Sequence, residues 1–214
     1  MHARGRVIID FTAPPAHHFS RDEKTEQFIA ARQGPISMSR ILLFYASVEG
    51  QTALISERIA RTLRAHGHSV DMVSADVQTD FSSYDGVIVG ASIHYGHHPA
   101  PLRKLVRSQR DVLEARHNAF FSVSLSAGGP RPKPEAVQRY IDKFLRRTGW
   151  RPHLVASFAG AVKYSVYGPI KRRVMIVFVG LGGGETDTSR DYEYTDWDAV
   201  ERFAQTCAQL MKPV

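Results

Sequence analysis

The sequence predicts a doubly wound α/β fold, a five-stranded parallel sheet of order 2-1-3-4-5 with helices on both faces. The first observation is that apolar runs alternate with segments of helical periodicity from Arg40 onward. The second is that these runs are continuously apolar, as in strands buried on both faces. The third is length, because the roughly 170 residues after the first 38 suit one such domain.

The strands and helices follow in regular order along the chain. Apolar runs predict strands at residues 41–45, 70–73, 86–90, 119–125 and 154–159. Helical periodicity predicts helices at 51–65, from Pro99 and Pro101 to Leu113, at 135–147, and near the end of the chain through Leu210. Thr195, with Asp198 three residues on, is predicted to cap the last helix.

The first 38 residues differ from the rest and are predicted to be a poorly ordered extension of a domain at 39–214. They combine Pro14-Pro15, His17-His18 and scattered charges, and the brief apolar start Val7-Ile8-Ile9 is interrupted by Asp10. The stretch has neither the long apolar segment of a secretory signal nor the basic bias of a transit peptide. We expect it to be dispensable for folding.

Charge and cysteine content narrow the classes of function. The formal net charge of +7 suits nucleic acid, an anionic membrane surface or an acidic ligand. Because the sequence has no nucleic-acid module signature, we predict no nucleic-acid partner. The single cysteine, Cys207, excludes a disulfide within the chain and is predicted to be a core residue, as fits a reducing compartment. No apolar run approaches the ~20 residues that a membrane-spanning helix needs.

An anion-binding loop is predicted where the first strand gives way to the first helix, in ILLFYASVEGQT. The free N–H groups and the positive dipole end of the first helical turn meet there. Ser47 and Thr52 add hydroxyl donors, and Gly50 allows close backbone approach. The loop has no lysine, so it is not a nucleoside-triphosphate loop and favours one phosphate monoester. The alternative is an ordinary strand-to-helix turn. The predicted loop residues are Ala46, Ser47, Val48, Glu49, Gly50, Gln51 and Thr52.

Two further loops are predicted to meet the first at the carboxyl edge of the sheet, beside the switch point. Tyr95 is the candidate for stacking on a flat heteroaromatic ring, with Gly96 leaving room for it. Three nearby histidines invite a metal interpretation, but no carboxylate or cysteine stands at ligand spacing, so we predict no metal. The residues concerned are Ala91, Ser92, Ile93, His94, Tyr95 and Gly96 in one loop and Ser124, Leu125 and Ser126 in the other.

The segment from Tyr164 to Leu181 places a basic cluster beside an apolar run. Lys171-Arg172-Arg173 precede residues 174–179, which are too uniformly apolar for periodicity to decide between strand and helix. One interpretation is contact with an anionic membrane surface. The other is a buried segment with a solvated basic edge.

Several motifs together resemble the bacterial menaquinone-dependent protoporphyrinogen IX dehydrogenases, a flavodoxin-like family. They are YDGVIVGASIHYGHH, FFSVSLSA, FAGAVKY and GGETDTSRDYEYTDWDAVERFA, and the resemblance extends from about Arg40 to Lys212. The phosphate loop is common to flavodoxins at large, whereas the other motifs are more specific. Val48 departs from the family pattern, which implies a basic residue in that loop.

The resemblance implies an FMN cofactor, with Ala46–Thr52 at its phosphate and the other two loops around its isoalloxazine ring. It also implies oxidation of protoporphyrinogen IX, with electrons passed to menaquinone or another membrane quinone, by a cytoplasmic protein at the inner face of the cell membrane. No residue stands out as a catalytic acid or base. The substrate's propionates would need cationic partners. The candidates are Arg131, Lys133, Lys163, Lys171, Arg172 and Arg173.

Two other functions stay open on the same fold. A flavodoxin-type electron carrier is one, although carriers of that kind are typically acidic and this chain is basic. An NAD(P)H:quinone oxidoreductase is the other, and it would need a nicotinamide site that the sequence does not reveal.

Overall fold

The main sheet has six parallel strands in the order β1-β6-β5-β4-β2-β3. The structure is a computed structural model and describes residues 7–8, 38–181 and 187–212. The strands of this sheet are β1 (Val7–Ile8), β2 (Arg40–Ala46), β3 (Ser69–Ser74), β4 (Gly86–Ser92), β5 (His117–Ser124) and β6 (Leu154–Ala159). Two short antiparallel strands, β7 (Ala161–Val162) and β8 (Tyr192–Glu193), form a separate pair.

Helices connect the parallel strands and cover both faces of the sheet. In chain order they are α1 (Gln51–Ala65), α2 (Ala100–Ser108), α3 (Arg110–Glu114), α4 (Pro134–Thr148), α5 (Pro169–Leu181) and α6 (Trp197–Leu210). The predicted second helix is two helices, because the chain breaks at Gln109. Asp196 caps α6 by accepting a hydrogen bond from the Ala199 N–H at 2.9 Å, so the prediction that Thr195 is the cap was wrong.

The predicted 2-1-3-4-5 order of five strands is confirmed. In the present labels it is β3-β2-β4-β5-β6, with Leu43 of β2 lying between Met72 and Ile88. The sixth strand, β1, is an addition at the far edge, where Val7 pairs with Leu154. The rest of the predicted extension before Met38 lies outside the described residues, and its poor order stays a prediction.

Two hydrophobic cores lie on opposite faces of the sheet, as the continuously apolar strands predict. On one face α1 and α6 pack together over the sheet, with Ile59 and Phe203 fully buried. On the other face α2, α3 and α4 cover Phe120 and Trp150. Cys207 is buried in the first core, where burial raises the pKa of its thiol, so the prediction of a core cysteine is confirmed.

The excursion between β6 and α6 builds a small third core beside the carboxyl edge of the sheet. Tyr164, Tyr167 and Tyr192 are buried there with Val179 of α5. The open question of strand or helix for residues 174–179 is therefore decided in favour of a helix, α5. The excursion places further side chains next to the predicted anion-binding loop.

Candidate functional site

A cleft opens where the carboxyl ends of β2, β4 and β5 meet. It is open to solvent, and residues from all three predicted loops line it. Its position beyond the carboxyl ends of parallel strands is the one that open α/β sheets favour for ligands. The lining residues are Val48, Glu49, Gln51, Thr52, Ser92, Ile93, His94, Tyr95, Val123, Ser124, Leu125, Gly160 and Ala161.

The first turn of α1 offers N–H groups to a ligand. Its N-cap is Gly50, held at φ 87°, a left-handed conformation that favours glycine and brings no side-chain oxygen to the helix end. The Gly50 N–H itself donates to Ser47 Oγ at 3.1 Å, which fixes the loop. By contrast α6 has its own cap in Asp196. The start of α1 therefore keeps both its donors and the positive end of its dipole for an anion.

Thr52 is the clearest polar group that lacks a partner at this site. Its side chain is 1% exposed and lines the cleft, yet its hydroxyl oxygen has no hydrogen-bond partner in the described structure. The neighbouring Gln51 is anchored, since its Nε2 donates to Glu193 and Thr195 at 2.9 Å each. Its Oε1 is also buried and unpartnered. Buried polar groups without partners are rare and costly, so these two fit a site completed by a polar ligand.

The excursion after β6 adds a cation beside the loop. The Lys163 Nζ lies so close to Gly50 that a Cβ on residue 50 would stand 3.8 Å from it. On the same side the Tyr167 hydroxyl donates to the Glu49 carboxylate. The pKa of Tyr167 is raised well above its usual range, mainly by burial and then by that hydrogen bond, so Tyr167 stays a neutral donor. The anion site therefore has the positive charge of Lys163 beside it, and the nearby Glu49 carboxylate already accepts a hydrogen bond from Tyr167.

Tyr95 projects from a tight turn at the mouth of the cleft. His94 and His97 pair as a bridge, with N–H···O distances of 2.9 and 3.1 Å. Between them Tyr95 and Gly96 both have positive φ, 48° and 76°, as a two-residue type I′ turn requires. The Tyr95 ring is 60% exposed and lies 4.2 Å from the His94 ring, centroid to centroid. A large aromatic surface therefore stands ready beside the cleft for a flat ligand.

The three predicted loops do come together, although not every predicted residue lines the cleft. Ten do: Val48, Glu49, Gln51, Thr52, Ser92, Ile93, His94, Tyr95, Ser124 and Leu125. Ala46 and Ala91 are instead buried in the core beneath the loops, and Ser47 and Gly50 shape the first loop. Gly96 lies in the tight turn. Ser126 accepts the Lys133 N–H at 2.8 Å.

Sequence reasoning missed three cleft residues. Val123 points in from β5, and Gly160 and Ala161 enter from the start of the excursion. Gly160 and Ala161 belong to the FAGAVKY motif, so that motif is the sequence signal for them. Their small side chains leave space between β6 and the first loop.

The six predicted substrate cations lie in different settings. Arg131 and Lys133 are exposed just before α4, whereas Lys163 lies at the anion loop. In α5, Arg172 donates to the Tyr164 carbonyl at 3.1 Å, and Arg173 is exposed. The side chain of Lys171 lies outside what the structure describes.

Metal ligands do not cluster in the part of the chain that the structure describes: no group of three or more His, Cys, Asp or Glu side chains there is placed to hold an ion. The loop histidines have other partners. His97 Nδ1 lies 2.7 Å from the Tyr95 carbonyl, and His98 Nε2 lies 3.0 Å from Ser122 Oγ.

The order of the strands and the cleft at the switch point, lined by three loops, are those of a flavodoxin-type α/β protein. A family model described as a flavodoxin domain matches residues 42–189. Among solved structures the chain is similar to a flavodoxin of Streptococcus pneumoniae TIGR4, with a TM-score of 0.49 and 18% identity over 79% of this chain and 98% of that one.

Curated relatives narrow the class further. Escherichia coli K12 has a protein named protoporphyrinogen IX dehydrogenase [quinone] that is 33% identical over 173 residues, which span 80% of this chain and 96% of the relative. A Leishmania major protein of the same name is 37% identical over 175 residues, 80% of this chain and 75% of the relative. The chain belongs to this family of flavodoxin-domain protoporphyrinogen IX dehydrogenases, and the resemblance found in its motifs is confirmed.

Proposed function

We propose that this protein is an FMN-dependent enzyme that oxidises protoporphyrinogen IX to protoporphyrin IX and passes the electrons to a membrane quinone, a step of haem biosynthesis. The observation that carries the proposal is the buried, unpartnered Thr52 hydroxyl at the uncapped start of α1, beside Lys163. This arrangement suits a phosphate monoester. The relatives named for this reaction support the choice of substrate.

The residues present fit FMN. The amides at the start of α1 and the Thr52 hydroxyl would hold the phosphate, and Lys163 would supply the positive charge that Val48 does not. Gln51 Oε1 offers an acceptor for a hydroxyl of the ribityl chain. Tyr95 would cover one face of the isoalloxazine ring, and small residues around Gly160 would leave room beneath it. When bound, the flavin supplies the two-electron redox chemistry.

The remaining task of the protein is to orient a hydrophobic macrocycle and to exclude water. The substrate loses six electrons in three two-electron steps, which are balanced by three quinones reduced to quinols. The Tyr95 ring, 60% exposed at the mouth of the cleft, is suited to pack against a pyrrole ring of the substrate as well as against the cofactor. No side chain is assigned as a catalytic acid or base.

We further propose that α5 brings the protein to the membrane surface that holds the quinone. Arg173 and Val174 are adjacent and exposed, Val174 by 45%. A cation beside an apolar side chain suits shallow contact with an anionic leaflet. Arg172, which donates to the Tyr164 carbonyl, would instead tie α5 to the segment that precedes it. None of the described helices is both long and apolar enough to pass through a bilayer.

The test is anaerobic turnover by the purified protein after its visible spectrum has established the flavin. Protoporphyrinogen IX with a menaquinone analogue should give protoporphyrin, whereas NADPH with the same quinone should give none. If NADPH with the quinone supports turnover and protoporphyrinogen IX does not, the protein is instead an NAD(P)H:quinone oxidoreductase. A bound flavin without turnover of either donor would favour an electron carrier, and both outcomes would overturn the proposal.

A further inference from the structure

A second cleft lies on the other side of the Tyr95–Gly96 turn. The first cleft is lined by His94 and Tyr95, and the second by the next two residues, Gly96 and His97. Gly96 faces Tyr140 across the second cleft, since a Cβ there would stand 3.7 Å from the Tyr140 ring. This second cleft is a small recess, open to solvent, between α2 and α4. A ligand that stacks on Tyr95 can therefore reach it by crossing a single turn.

The rim of the second cleft is cationic. Arg103 comes from α2, and Lys143 and Arg147 come from α4, where they lie on one face because they are four residues apart. Among the described residues, no acidic side chain lines the cleft. Within the described part of the chain none of these three cations has an ion-pair partner, in contrast to Arg40 with Asp71. Three unpaired cations around one recess, with no acid among them, make an anion site.

The floor of the second cleft is aromatic and uncharged. Phe144 is buried there, and the His98 ring lies 4.8 Å from it, centroid to centroid. Burial, followed by the nearby His97, lowers the pKa of His98 to about 3, so its ring is neutral at physiological pH. Tyr140 adds a further ring at the side. An apolar floor beneath a cationic rim suits acidic groups carried by a hydrophobic body.

We propose that this cleft binds the propionate carboxylates of the tetrapyrrole substrate through Arg103, Lys143 and Arg147. The inference rests on the proposed function, which supplies a substrate with two propionate carboxylates on one side of a hydrophobic macrocycle. Arginine forks suit carboxylates because they can donate two parallel hydrogen bonds. The macrocycle would then lie over the Tyr95–Gly96 turn, with its rings toward the first cleft and its carboxylates in the second.

The same helices offer matched controls. Together α2 and α4 carry seven cationic and two acidic side chains, so the whole face is basic. Arg107 and Arg146 are exposed on these helices and do not line the cleft. Replacing them removes the same kind of charge from the same face, and it leaves the cleft intact.

The experiment compares protoporphyrinogen IX with its dimethyl ester, which lacks both carboxylates. The holoenzyme variants are Arg103→Gln, Lys143→Gln, Arg147→Gln, their triple combination, and the control pair Arg107→Gln with Arg146→Gln. We expect KM for the diacid to rise roughly three- to tenfold for each single variant and further in the triple, because the cleft is partly solvated. The KM for the ester, the kcat for both substrates and the FMN affinity should stay unchanged. Fluorescence titration with protoporphyrin IX should show the same loss of affinity without relying on turnover.

Several results would overturn the inference. If KM rises equally for the diacid and the ester, or rises as much in the control pair, the cleft does not bind the carboxylates. Weaker binding to anionic liposomes with an unchanged KM for the diacid would assign the cations to lipid headgroups. If the unmodified protein does not turn over protoporphyrinogen IX, the proposed function itself is wrong. If it does, and the variants do not change KM, only the assignment of the cleft is wrong.

Discussion

Replacing Thr52 with valine tests whether the start of α1 binds a phosphate. The change keeps the shape of the side chain and deletes a hydroxyl that is 1% exposed and unpartnered in the described structure. A hydrogen bond to a charged group contributes about 1.5–3 kcal/mol. At about 1.4 kcal/mol for each factor of ten, the Kd for FMN should rise roughly 10- to 150-fold.

The same substitution should affect the stability of the apoprotein in the opposite direction. Without ligand the hydroxyl is buried and makes no hydrogen bond, which costs about 1–3 kcal/mol, and a methyl group removes that cost. Thr52→Val should therefore unfold at an equal or higher denaturant concentration than the unmodified apoprotein. A variant that binds FMN more weakly and yet is no less stable cannot owe its weaker binding to misfolding.

Ser56→Ala is the matched control, one turn further along α1. Its hydroxyl is buried as well, but it donates to the Thr52 carbonyl at 2.8 Å and does not line the cleft. We expect a loss of about 1 kcal/mol in the free energy of unfolding and an unchanged Kd for FMN. The Kd is measured by fluorescence titration of the apoprotein with FMN, and the free energy of unfolding by urea denaturation. An unchanged Kd in Thr52→Val would refute the assignment of its hydroxyl to the phosphate.

Four further predictions concern other parts of the molecule. Because the pKa of His98 falls from about 6.5 unfolded to about 3 folded, its contribution to stability is complete above pH 6.5 and is lost as the pH falls toward 3. Between pH 7.5 and pH 5.0, His98→Gln should therefore lose about 2 kcal/mol less unfolding free energy than the unmodified protein, and equal losses would contradict this. Lys163→Gln should weaken FMN binding about fivefold and leave riboflavin, which has no phosphate, unaffected, whereas equal losses would place Lys163 elsewhere. Arg173→Gln should weaken binding to anionic liposomes about fivefold without changing turnover of a water-soluble quinone, and unchanged liposome binding would leave Arg173 as plain surface charge. A chain that starts at Met38 should fold and bind flavin normally, and a large drop in melting temperature would show that the preceding segment is needed.

The sequence alone was sufficient for five of the six strands of the main sheet and for the main loops of the first cleft. Apolar runs and helical periods are local signals, and in a doubly wound sheet the chain order decides which strand ends share an edge. The loops after β2 and β4 were therefore found together, including Thr52 and Tyr95. The helix Gln51–Ala65 was predicted with the same ends that the structure has. The unpartnered state of the Thr52 hydroxyl was not predictable, because it depends on every neighbour that might have satisfied it.

Tertiary structure alone decided where the cations lie. Lys163 was predicted among possible substrate contacts, but the excursion after β6 brings its Nζ beside Gly50. The sequence contains no local signal for Arg103, Lys143 and Arg147, because each looks like an ordinary charged residue on the surface of a helix. Only the packing of α2 against α4 brings the three together around one recess. Residues 174–179 form a helix rather than a strand, and Val179 of that helix packs on a buried tyrosine cluster built from segments before and after it. In each case the deciding contacts join segments far apart in the chain, and neither hydrophobic period nor residue spacing records such contacts.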